Sequence, residues 1–448
     1  MKRLISLLIL LVMFCSVTGC VSVEETVKTS VETVEISPIP AFQFEESQEM
    51  EVVAEEEVIL PRAYSYLEDH KMPVSKNQGD TNSCWAFASL SALESSKDED
   101  SKGPYSTEHL IYQNPFENTF GEGGSYVVTV AYLLSWSGPV SETADPVDGV
   151  SGENLKEVVH VQEIRESAPK DYEAIKRFVY LYGGVETALY VDFDVNFMES
   201  SYYNKESNSF CYIGEEIPNH DVVIVGWDDD YPAENFVGNV KNDGAFLCQN
   251  SWGDSFGNDG TFYVSYEDVN IGGYGVVYSR IDSTDNYDMI YQSDLCGFTA
   301  QIGYQQESGW FANVYQAEQD LNVRAAGFYA TGSNTKYEIY AVPKFIDENS
   351  FVFKQMLCKG ELKDAGFYTI DFPKAFSVEA GDEFAVVVKI HTENAEYPVA
   401  IECPVEKLSE YIDISDGKGY LSYQGNLWEH VEETKAYNIC LKAYADLR

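Results

Sequence analysis

The stretch Asn77-Gln78-Gly79-Asp80-Thr81-Asn82-Ser83-Cys84-Trp85-Ala86 puts a thiol at the end of a polar turn and at the head of an apolar run. A cysteine attacks well only as thiolate, so it needs a proton acceptor or a positive field close by. The turn followed by apolar residues predicts a helix from Cys84 to about Ser95. At such a helix start, unpaired amide hydrogens and the dipole favour negative charge on sulfur. Gln78 lies upstream across a glycine-containing loop, which can bring its amide NH₂ to an oxygen that turns negative during acyl transfer. Much later, Asn219-His220-Asp221 precedes Val222-Val223-Ile224-Val225-Gly226-Trp227, an apolar run that reads as a buried strand with His220 at its mouth. His220 can accept the thiol proton. Asn250, in Cys248-Gln249-Asn250-Ser251-Trp252-Gly253, can hold the far imidazole nitrogen, and Trp252 can shield that bond from water. Each residue alone has an ordinary structural role; the four together do not.

These blocks, in this order, resemble the papain family of cysteine proteases over roughly half the chain, from Pro61 to about Ser279. The resemblance implies an oxyanion hole from Gln78 and the Cys84 backbone N–H. It implies a reactive ion pair between Cys84 and His220, oriented by Asn250. Gly121-Glu122-Gly123-Gly124-Ser125 is similar to the family's paired glycines, so Gly123 and Gly124, with Trp252, are the substrate-binding candidates. The chain departs from the family at Thr81, where many members have a cysteine, and at Gln249, where lysine is common. No metal and no cofactor are implied, and the partners are protein or peptide substrates.

Helices must present Cys84, and strands must present His220 and Asn250. Ser125 to Trp136 and the stretch around Ala174-Ile175-Lys176-Arg177-Phe178 read as further helices, with Val185 opening a strand. The expected architecture is α+β, a papain-like two-lobed protease domain at 61–282 followed by an all-β sandwich at 287–448. In the second part, alternating runs such as Leu321 to Thr331, Lys336 to Val342, Phe367 to Phe372 and Glu383 to Ile390 alternate with turns. It resembles the lectin-like domain that follows bacterial papain-type proteases. That resemblance implies binding of a cell-surface glycan or a protein; Tyr420, Tyr423 and Trp428 could stack on sugars if exposed, although alternating aromatics are more often core.

The chain has 448 residues, enough for two or three domains, and 44% hydrophobic residues, enough for real cores. Against 29 basic residues stand 74 acidic ones, a formal charge of −45, which repels phosphate backbones and excludes nucleic acid as a partner. Lys2 and Arg3 precede the apolar run Leu4 to Phe14, and Val17-Thr18-Gly19-Cys20 follows. That run is short for a bilayer span and reads as a secretory signal at 1–19. Its end resembles the lipobox of bacterial lipoproteins, which implies lipidation of Cys20 and an extracytoplasmic protein anchored to a bacterial membrane. Residues 20–60 are rich in glutamate and read as an acidic tether or a short pro-segment.

Overall fold

The computed structural model describes residues 58–69, 72–98, 103–116, 123–152, 154–193, 197–405 and 412–448. Cys20, the signal segment and almost all of the acidic stretch 20–60 lie outside the described residues, as do Gly121 and Glu122.

The helix Cys84–Glu94 runs through the first lobe and is buried on nearly every side, with Trp85, Ala86, Leu90 and Leu93 all under 2% exposed. Its sequence CWAFASLSALE has no charged residue before its last position, as a helix without a solvent face requires. The helices Thr107–Gln113 and Tyr126–Leu134 pack on it. Ser106 caps the former by accepting a hydrogen bond from the His109 backbone N–H at 2.9 Å. Across from these helices lies an antiparallel sheet in which His220–Asp228 sits between Val185–Leu189 and Ala245–Gln249. The helix Tyr172–Leu181, capped by Asp171, covers its other face.

The expected sandwich is present from residue 289 onward, but it is not a separate bead. Ala365–Val378 pairs with the protease strand His160–Ser167, through Ala365 to Tyr368 opposite Glu166 to Glu163. One 13-stranded sheet therefore runs from the protease lobe into the second domain. Asp364 reinforces the junction by accepting from Arg177 Nη2 at 2.6 Å and Arg165 Nη1 at 3.3 Å. A six-stranded sheet, including Ser308–Gln316, Thr335–Phe345 and Glu383–Thr392, packs on this one over Phe311, Phe328, Ile339, Val386, Val388 and Leu441.

Of the stacking candidates, Tyr420 is core rather than surface: it is 3% exposed and packs on Phe345 and Phe351. Trp428 lies against Phe351 at a centroid distance of 4.3 Å, and only Tyr423 is half exposed. No helix among the described residues is long and apolar enough to cross a membrane. The described cysteines, Cys84, Cys211, Cys248, Cys296, Cys358, Cys403 and Cys440, are all unbridged thiols.

Candidate active site

Cys84 is the first residue of its helix, and Ser83 provides no side-chain cap. Ala86 and Phe87 N–H both donate to the Ser83 carbonyl. The Trp85 backbone N–H instead favours negative charge on the Cys84 sulfur. Opposing effects are larger. Burial comes first and the nearby Asp221 carboxylate second, and together they hold the Cys84 thiol well above the usual cysteine range. The sulfur lies 3.9 Å from Asp221 Oδ2, to which the thiol donates.

His220 opens its strand, as the sequence predicts, and is 1% exposed. Its Nε2 lies 2.8 Å from Asn250 Oδ1. The Ser251 backbone N–H donates to the same atom at 2.8 Å, so that atom is the amide oxygen and His220 Nε2 must carry a proton. The neutral ring then has its lone pair on Nδ1, which is buried and has no hydrogen-bond partner. Trp252 stacks on the imidazole at 4.7 Å and 24°, covering the bond to Asn250. Burial lowers the His220 pKa to about 4, with Asn250 opposing that shift. Burial thus opposes charge on both partners, and the neighbouring Asp221 carboxylate opposes it further on sulfur.

Gln78 is joined to the same strand end. Its backbone N–H donates to Ser251 O at 2.9 Å. Its Nε2 donates to Thr81 O at 2.8 Å, and its Oε1 accepts from Ser251 Oγ at 2.6 Å. One hydrogen of the NH₂ group is left for another acceptor. Thr81, at the position where a family cysteine is absent, closes this loop by donating from Oγ1 to Gln78 O at 2.7 Å. Gln249 serves packing: it accepts from Ser91 Oγ at 2.6 Å and donates to Pro73 O at 2.8 Å, bridging helix and loop without charge.

Gly124 lies flat against Trp85; a Cβ there would come within 2.5 Å of the indole. A Cβ on Gly123 would meet nothing within 4 Å.

The sequence reading passes over Ser251, Glu186, Tyr274 and the charge of Asp221. Tyr274 OH donates to Asp221 Oδ1 at 2.6 Å, and Ser89 Oγ donates to Glu186 Oε2 at 2.5 Å. One signal was available, since an aspartate opening an otherwise apolar strand beside His220 is a conspicuous place for a charge.

Comparison with known proteins follows the same division. Residues 60–278 match the family described as papain family cysteine protease, and residues 290–445 match the lectin like domain. Pro-cathepsin H of Bos taurus is 28% identical over 197 residues, covering 42% of this chain and 55% of that protein. Cathepsin K of Mus musculus is 26% identical over 211 residues, covering 45% and 58%. The chain thus spans little more than half the length of these curated relatives. Two solved structures cover both domains. The clostridial cysteine protease Cwp84 after propeptide cleavage is 25% identical with a TM-score of 0.75, covering 86% of this chain and 99% of that one. The protease and lectin-like domains of Cwp84, a surface layer associated protein of Clostridium difficile, give 25% and 0.74, covering 87% and 90%. The fold is therefore a papain-like protease domain followed by a lectin-like all-β domain, the arrangement found in Cwp84.

Proposed function

We propose that the protein is an extracytoplasmic papain-like cysteine endopeptidase that hydrolyses peptide bonds through a thioester on Cys84. The observation that carries this reading is the imidazole's hydrogen-bonding. With Nε2 committed to Asn250, His220 keeps an unpaired Nδ1 as the base for the Cys84 thiol. Cys84 passes its proton to His220 Nδ1 and attacks the scissile carbonyl. The remaining Gln78 Nε2 hydrogen and the Cys84 backbone N–H receive the oxyanion. His220 then gives its proton to the leaving amine, and water hydrolyses the thioester.

Gly123, Gly124 and Trp252 line the substrate path in this reading. The lipobox-like Val17-Thr18-Gly19-Cys20 supports lipid anchoring at Cys20, and residues 20–60 supply the tether or a short pro-segment. The surface layer association of Cwp84 supports an extracytoplasmic setting. The lectin-like domain would hold the enzyme to a cell-surface glycan or protein.

The test is cleavage of unfolded protein and short peptides by wild type, by Cys84→Ala and by alkylated enzyme. Cleavage is expected from wild type alone. Equal turnover by Cys84→Ala would overturn the assignment.

A further inference from the structure

The loop after the strand Val185–Leu189 carries an aromatic side chain that the mechanism above does not use. Phe193 is 62% exposed, and its one ring contact among the described residues is with His220, edge-on at 6.1 Å and 82°. A single exposed phenylalanine is ordinary; its place beside the imidazole is not. Packing does not account for it. Four residues on, Phe197 is 8% exposed and fills the core against Trp252, Phe256 and Phe262, whereas Phe193 joins no buried cluster among the described residues. Asn219, the residue before His220, holds the base of this loop. Its Oδ1 accepts from the Val191 N–H at 2.7 Å, its Nδ2 donates to Val191 O at 2.9 Å, and its own N–H donates to Leu189 O at 2.8 Å. The chain entering Phe193 is thereby tied to the chain entering His220. With Trp252 stacked on the same imidazole at 4.7 Å, two aromatic rings flank His220.

We propose that Phe193 is a specificity-determining residue for the half of the substrate that leaves first, favouring an apolar side chain on the residue immediately after the scissile bond. The inference rests on the peptidase reading and deepens it. When the C–N bond breaks, His220 Nδ1 gives its proton to the amine nitrogen and the acyl half stays bonded to sulfur. In that reading the acyl half lies along Gly123 and Gly124, just before the helix Tyr126–Leu134 of the opposite lobe. The amine half departs past the ring that protonates it, so its first side chain meets whatever flanks that ring. Phe193 offers this side chain an aromatic surface most of which still faces water. Covering it removes apolar area from water on both partners.

The reverse step reads this contact. An amine added to the acyl-enzyme attacks the thioester carbon, the C–S bond breaks, and His220 Nδ1 takes the amine proton. With the full chain and a peptide ester as acyl donor, the products show how leucinamide and glycinamide compete with water. In wild type, leucinamide should be acylated about tenfold faster than glycinamide, the discrimination a small apolar contact gives. Phe193→Ala should bring the two within about twofold, and Phe193→Leu should keep most of the difference. Equal rates in wild type, or a leucinamide preference that survives Phe193→Ala, would overturn the proposal. So would a parallel fall with both amines, which would make Phe193 only a cover for the imidazole. Protection of Cys84 from iodoacetamide, followed by mass spectrometry of its peptide, needs no turnover. Leucinamide should protect at about tenfold lower concentration than glycinamide, and Phe193→Ala should remove that advantage; no protection by leucinamide counts against the site. A chain that forms no acyl-enzyme yet shows this protection loses the peptidase reading and keeps the site; one that acylates both amines equally does the opposite.

Discussion

Ser251 Oγ donates to Gln78 Oε1 at 2.6 Å while Gln78 Nε2 donates to the Thr81 carbonyl at 2.8 Å. A backbone carbonyl can only accept, so the amide cannot be turned end for end, and its NH₂ stays on the side away from Ser251. The residue after the imidazole's partner Asn250 thereby sets the glutamine's orientation, which ties the two halves of the site together.

Gln78→Ala should lower kcat by roughly 10²–10³, the usual cost of losing one oxyanion donor. Ser251→Ala should cost less, about tenfold, because the Thr81 bond still restrains the amide. Both variants should keep the wild-type rate of Cys84 alkylation, since that reaction builds no oxyanion. A matching loss of alkylation would mean that the loop had moved the nucleophile.

Gly124→Ala is expected to destabilise the protein by about 1–3 kcal/mol, the cost of forcing a methyl into a filled interior. Trp85 is 1% exposed, so its indole has no room to withdraw from a Cβ at 2.5 Å. Gly123→Ala meets no atom within 4 Å and should unfold with wild type. Thermal unfolding of the pair separates tight packing at one glycine from a general need for flexibility. Equal melting temperatures for the two variants would refute the distinction.

Glu166 provides a pH signature in stability. Desolvation raises its carboxyl to about 7, against a partial opposing effect of the Tyr126 hydroxyl. An acid whose folded pKa lies above its unfolded value stabilises the fold below about 4.5, and that contribution is lost as pH rises through about 7. Glu166→Gln should therefore melt higher than wild type at pH 8, and the gap should close below about pH 4.5. His220 acts in the other direction: it is buried neutral, with its pKa lowered to about 4, so its contribution falls as the solution is acidified from 6.5. A Glu166→Gln gain that persists at pH 4 would show that packing, not charge, is responsible.

How much of this could be read in the sequence follows the range of the interactions. Cys84 at a helix start, His220 at a strand mouth and Asn250 in a turn are local patterns, and the helix Cys84–Glu94 and the strand His220–Asp228 fall where polarity changes place them. The strands Leu321–Ala330 and Glu383–Thr392 follow from alternation in the same way. The upward shift of the Cys84 thiol was not legible, because it comes from burial and from Asp221, far away along the chain. Nor was the continuous sheet. Pairing of Tyr368 with Glu163 joins segments whose own residues say only that each is a strand. Tyr420 shows the same limit, since alternation marks one face of a strand without telling which face meets solvent.

That continuous sheet makes Asp364 a test of whether the two domains unfold together. Its carboxylate is 6% exposed and receives Arg177 through both oxygens, at 2.6 Å and 3.1 Å, and Arg165 at 3.3 Å. Tyr368 OH donates to its carbonyl at 2.9 Å, at the start of the strand that crosses into the protease sheet. Asp364→Ala leaves both guanidiniums without this anion in a largely buried site, a loss of roughly 3 kcal/mol on the scale of broken buried pairs. Arg177 makes two of the three contacts and Arg165 one, so the greater damage falls on Arg177 and the helix Tyr172–Leu181. In urea, peptidase activity and the tryptophan signal should be lost together in wild type, and activity should be lost first in Asp364→Ala. Asp364→Asn keeps the shape but not the charge and should fall between the two. Coincident transitions with an unchanged midpoint in Asp364→Ala would show that backbone pairing alone binds the domains.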